Sequence, residues 1–246
     1  MKNMTNGSPL KLIFLFAMPL MFGNILQQLY TMIDTMVVGQ FVGVDALASI
    51  GAADWINWAL LGIVMGFTQG FSIRVSHTYG AQDFEKLKKV FAMIFLLCGG
   101  IAIVTTIISL CIIHPLLTLL QTPSNIIQGS LTYLTVMSIG LTIVMFYNCF
   151  SCLLRALGNS KIPLYAMILS SLINIALDLL FVCVFHLGVL GVAIATLIAQ
   201  FCSTVFCLVF FIKTIPFQMT KNDFKFDYEI IKDLIRLGTP LAFQNG

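Results

Sequence analysis

Long apolar stretches alternate with short polar ones along this chain. They run at about 10–38, 49–73, 90–113, 130–154, 162–186 and 188–212, and a seventh starts near Ile230 and meets the last residue, Gly246. A hydrocarbon core of about 30 Å takes roughly 20 apolar residues of α-helix, which each of the six supplies. The pattern predicts an all-α integral membrane protein: a six-transmembrane-helix bundle plus the start of a seventh helix. Three segments follow from it: a six-helix lobe over 1–213, a charged inter-lobe linker over 214–230, and the opening of a second lobe over 231–246. The first apolar stretch is too long for a signal peptide and lacks a small-residue cleavage site before the next polar segment, so none is expected.

The chain's end echoes its beginning. Pro19-Leu20-Phe22-Asn24 returns as Pro240-Leu241-Phe243-Asn245, with Lys232 in register with Lys11. Internal repeats mark many secondary transporters, whose substrate site lies between related halves. Six spans per half would run the second half parallel to the first. The expectation is a complete first bundle and the opening of a second, from a protein nearly twice as long.

Composition sharpens the class. The chain is 59% hydrophobic and only 9% charged, with a mean hydropathy of +1.00. A soluble domain carries about 25% charged residues, so the natural solvent here is lipid. All 13 Lys and Arg fall on alternate connections and at the N-terminus: Lys2 and Lys11; Arg74, Lys86, Lys88 and Lys89; Arg155 and Lys161; and Lys213 onward. The three connections on the opposite side have none. The positive-inside rule then places the N-terminus in the cytoplasm of a multi-pass protein of the plasma (inner) membrane. The net charge of +3 is this bias, and gives no reason to propose nucleic acid. Seven cysteines lie within the spans and form no secreted framework. Cys149-Phe-Ser-Cys152 has the spacing of a ligand pair but no second pair, and reads as apolar packing. Asp83 and Glu85, beside three lysines, read as an amphipathic helix start at the membrane surface.

Polar residues inside the spans carry the chemistry. Asp34 and Asp178 lie deep within lipid-length segments, where an ionisable group by default faces a cavity or a partner. Asn24, Gln27, Thr31 and Asp34 follow one stripe of a helix, which Tyr30 can join. Ser170 or Ser171, Asn174 and Asp178 make a second stripe, Asn174 and Asp178 being i, i+4 neighbours. Two such acids, with no Lys or Arg within a span to neutralise them, either hold a proton or bind a small cation. Thr196 and Gln200, Asn148 with Thr142 and Ser151, and Gln69 with Ser72 are further candidates for the cavity wall. Asp54 and Asn57 lie nearer the outer end of their span, where water makes charge cheap, and Asp54 is read as a solvated residue. Pro19 removes a donor and crowds the carbonyl of Leu15, so span one is expected to bend there when Asp34 changes protonation state.

"QQLYTMIDTMVVGQFVGVDALASIG", "GNSKIPLYAMILSSLINIALDLLFV" and "GVLGVAIATLIAQ" together resemble the multidrug and toxic compound extrusion family, and the likeness covers essentially the whole chain. It implies one lobe of a twelve-helix transporter that expels organic cations against an inward proton or sodium flow. At matching positions it implies that Asp34, Asn174, Asp178 and Thr196 form the cation-coupling network. It also implies that Gln27, Tyr30 and Asn148 line the cavity and that Pro19 is the bending proline. No metal is fixed by the pattern, although Asp34, Asn174, Asp178 and Thr196 are a possible sodium site, and no cofactor is expected.

The function read from the sequence is a secondary active antiporter that exports organic cationic small molecules in exchange for H+ or Na+. A lipid-linked sugar flippase would place Arg or Lys in the cavity. An intramembrane enzyme would need a nucleophile and base or a metal cluster, yet His114 and His186 lie at span ends and no H-E-x-x-H occurs, so no enzyme is expected. A non-transporting scaffold or half-size subunit, working as a homodimer or with a missing second lobe, is the remaining alternative.

Overall fold

The computed structural model describes residues 9–215, 217 and 219–246, and these are helical almost throughout. In chain order the helices are α1 (Pro9–Val37), α2 (Val44–Gly80), α3 (Phe84–Leu119), α4 (Ile127–Ile139), α5 (Leu141–Ala156), α6 (Lys161–Asp178), α7 (Gly188–Thr214) and α8 (Tyr228–Asn245). Among the described residues, four are long and apolar enough to cross a membrane, and five if the bent pair α4–α5 counts as one span. The first predicted stretch is α1, with Pro19 inside it. Its opening side chains lie outside the described residues.

Three features depart from the simple six-span reading. The span expected over 130–154 is broken at Gly140 into α4 and α5, which meet at 51°. Gly140 leaves room that the Leu197 side chain of α7 fills, and a side chain there would collide with it. Small residues let a neighbouring element wedge the helix open, a recognised cause of kinks. α3 runs past Pro115, where a loop was expected, to Leu119. A proline forfeits one bond and is tolerated where neighbours re-satisfy the backbone. Both α1 and α6 widen into π-helical turns at their C-terminal ends, Val38–Val42 and Leu179–Val184. Gly43, at φ 113°, closes the first of these in a backbone conformation that L side chains rarely adopt.

The starts of α3 and α8 carry side-chain caps. Asp83 accepts from the Lys86 amide at 3.0 Å, and Lys88 pairs with Glu85 at 2.7 Å. The predicted surface start is therefore the first turn of α3 itself. Asp227 likewise accepts from the Ile230 amide at 3.2 Å and caps the start of α8.

Lipid tails are as apolar as leucine, so close packing rather than water exclusion holds such a bundle together. Phe91, Phe95, Phe150 and Phe211 interlock between α3, α5 and α7, with ring centroids 5.1–5.9 Å apart. Ser109 of α3 and Ser138 of α4 share a fully buried hydrogen bond of 2.6 Å. α2 and α8 approach each other through backbone. Gly62, Gly66 and Gly70, on successive turns of α2, meet the backbone of Asn245 and Gly246, of Ala242, and of Gly238. As numbers rise on α2 they fall on α8, so the pair is antiparallel. Arg74 and Asp233 close this contact near the C-terminus of α2 at 3.1 Å.

Candidate functional site

Both intramembrane acids stand where an α-helix widens. Asp34 is four residues before the π turn after α1, and Asp178 directly precedes the one after α6. Such turns are rare and recur at functional sites, because they displace the adjoining side chains from ordinary helical register. The fold brings the two carboxyls within electrostatic range of each other.

Asn174 organises their surroundings. With its amide oriented to satisfy its neighbours, its nitrogen donates to Asp178 Oδ2 at 2.8 Å and to the Tyr30 hydroxyl at 3.1 Å. Its carbonyl accepts from the Thr196 amide at 3.2 Å. The Thr196 hydroxyl donates to the Val192 carbonyl at 3.0 Å. Asn174 and Asp178 are each only 1% exposed. One oxygen of each acid, Asp34 Oδ1 and Asp178 Oδ1, is shut off from solvent without a hydrogen-bond partner among the described residues. Two neighbouring carboxyls cannot both stay ionised and unpaired in such a place. A shared proton, or a small cation held by these oxygens, satisfies them.

Two cavities lie on the side of the acids toward Pro19, the outer being the one nearer the acids. The outer one, about 200 Å³, is lined by Gln27, Tyr30, Asn148, Asn174, Thr196 and Gln200 among others. The inner one, about 270 Å³, reaches Pro19, Asn24, Gln69, Ser151 and Arg155. Gln27, Met65, Tyr147, Asn148 and Met167 line both, so the two are consecutive chambers.

All of the expected coupling and cavity residues thus come to one region. Thr31 does not face it in the same way: it is exposed, and its hydroxyl donates back to the Gln27 carbonyl at 3.0 Å. Three other expectations need correction. Asn57, assigned to the solvated outer end of its span, is buried and lines the outer cavity beside Tyr133. Its spacing from Leu61, Met65 and Thr68 along one face of α2 was the available signal. Asp54, read as merely solvated, is half-buried and lies within electrostatic range of Asp34 and Tyr133. Arg155, placed in a connection, belongs to the last turn of α5, so a cation does line the cavity. Tyr133 had no signal, because the bend at Gly140 is what brings α4 to the site.

The arrangement of helices around a buried acid pair and a two-chambered cavity defines a class, and comparison with known proteins names it. The MatE family model matches residues 19–180, and the chain belongs to that family. It is 30% identical over 242 residues to the probable multidrug resistance protein YpnP of Bacillus subtilis, covering 98% of this chain and 54% of that protein. It is 32% identical over 240 residues to the probable multidrug resistance protein YoeA of the same organism, covering 93% and 51%. Among solved structures, an outward-facing conformation of a multidrug resistance MATE family transporter superposes with a TM-score of 0.90 at 28% identity, covering 97% of this chain and 53% of that one. The chain spans about half the length of the relatives it matches.

Proposed function

We propose that this chain is the cation-coupled lobe of a multidrug antiporter that exports organic cations in exchange for H+ or Na+. The observation that supports it most is the Asp34–Asp178 pair, with Asn174 donating to Asp178 and one orphaned oxygen left on each acid. The coupling ion enters from the outer side and settles on the pair. Asn174 and Thr196 supply neutral oxygens that would help complete a sodium shell, whereas a proton would be taken by the carboxyls of Asp34 and Asp178 themselves.

Cargo occupies the chambers inward of the pair, against Gln27, Tyr30 and Asn148 and the adaptable Met65 and Met167. Two unneutralised carboxyls favour a cation there, and filling them with the coupling ion removes that preference. Such differential affinity is what couples ion and cargo. The second lobe completes the transport path, since the relatives extend as far again beyond this chain. The membrane is the plasma (inner) membrane, with the Lys- and Arg-rich ends in the cytoplasm.

The test is ethidium binding to the purified chain, read by fluorescence anisotropy while pH and then sodium are varied. Acid or sodium should release the dye, and Asp34→Asn should remove the ion dependence. Ethidium binding that neither ion changes, in both proteins, would sink the coupling assignment.

A further inference from the structure

The chain of cavities is polarised along its length. Its outer chamber is lined by Asn174, the partner of Asp178, and by Tyr30, which Asn174 also bonds, while its inner chamber is lined by Arg155. Arg155 is half-buried, and its Nη2 donates to Cys152 Sγ at 3.2 Å. Sulfur is a weak acceptor, and a guanidinium carries five N–H donors in a planar fork. No carboxylate pairs with Arg155 among the described residues. An unneutralised fork therefore stands at the wall of a polar cavity whose lining also includes Gln69, Ser151 and Ser160.

The geometry also sets a length. Asn148 and Arg155 are seven residues apart on α5, roughly 10 Å at the helical rise per residue. The contact with Cys152 shows the side chain leaning back one turn toward Asn148, the direction helical side chains favour. A molecule that spans the junction between the chambers thus has acids beyond one end and a guanidinium at the other.

We propose that Arg155 is a subsite for an anionic group of the cargo, and that this lobe takes elongated amphoteric molecules. The cationic end lies toward Tyr30, Asn174 and the acid pair. The opposite end presents a carboxylate, or another flat oxyanion, to the Arg155 fork, which matches two parallel acceptor oxygens. This inference rests on the cavity being the cargo site, and names the chemistry of what enters it. A cation in the last turn also complements the helix C-terminus, but that role is blind to the charge of the cargo.

Two dyes separate the roles. One is a rod-shaped styrylpyridinium carrying a benzoate at the end far from its cationic nitrogen. The other is its methyl ester, a monocation of nearly the same shape. Binding of each to the purified 246-residue chain is measured by fluorescence anisotropy. The acid should bind more tightly than the ester, and Arg155→Gln should weaken the acid by about tenfold while leaving the ester unchanged. Arg155→Lys should recover part of the preference, because it restores charge without the fork. An acid-to-ester ratio that Arg155→Gln does not alter, or equal weakening of both dyes, would overturn the subsite. Asp34→Asn serves as the separate check on the cavity, and should weaken both dyes. If it weakens neither, the cargo-site reading fails, whatever Arg155 does.

Discussion

Adding one methyl group at Gly66 should loosen the grip of α8 on the rest of the lobe. A Cβ at that position would fall on the backbone of Ala242, on both its nitrogen and its Cα. Backbone cannot rotate away as a flexible side chain can, so the helices must separate. Overpacking of this kind costs about 1–3 kcal/mol. The ion pair at the end of the same contact is a much weaker hold. Arg74 and Asp233 are 26% and 47% exposed, and pairs so placed contribute about 0–1 kcal/mol. The glycine contact, and not the charge pair, should therefore decide whether α8 stays docked.

The reporter is a single cysteine at Leu234, fully buried on α8, in a chain whose seven native cysteines are replaced by alanine. Its rate of labelling by a maleimide measures how often α8 opens. At 1.4 kcal/mol per tenfold, Gly66→Ala should speed labelling by roughly 5- to 150-fold, and Arg74→Gln by no more than about fivefold. Gly99→Ala is the control: a Cβ there meets nothing within 4 Å, and alanine favours the helix. Its labelling rate should match the parent. Equal rates for Gly66→Ala and Gly99→Ala would refute the reasoning, as would an effect of Arg74→Gln that exceeds that of Gly66→Ala.

Three further outcomes are expected. Ser109→Ala strands the Ser138 hydroxyl in the α3–α4 interface and should cost about 0.5–2 kcal/mol in a detergent-unfolding titration, whereas the Ser109→Ala, Ser138→Ala pair should recover part of the loss. In the linker, the Thr220 amide and hydroxyl donate to Asp223 at 2.7 and 2.8 Å and hold its carboxyl below the usual range. That support is present above an ordinary carboxylate value of about 4 and is lost as pH falls through the lowered one. The Asp223 amide should thus keep its exchange protection down to about pH 4, and Thr220→Val should shift the loss upward. Finally, Pro19→Ala should slow ion-driven dye release if α1 bends at Pro19 when Asp34 is neutralised; an unchanged rate would remove the hinge.

How much of this was legible in the chain follows from what each feature depends on. Apolar run length is a property of consecutive residues, and lipid thickness converts it directly into spans, so the all-helical membrane bundle could be read at once. The positions of Asp34, Asn174 and Asp178 could also be read, because a polar group in an apolar helix stands out against its neighbours and helical periodicity puts it on a face. Which faces meet is another matter. Nothing local announces that Gly140 bends a span by 51°, that both acids sit at π-helical turns, or that Arg155 belongs to the cavity wall rather than a loop. The bend goes with the Leu197 side chain of α7 filling the space beside Gly140, and Gly62, Gly66 and Gly70 became a docking surface only against α8. Sequence alone determined the solvent, the elements and the unusual residues. Tertiary contact alone decided which of them share a space, since that depends on shape complementarity between segments far apart in the chain.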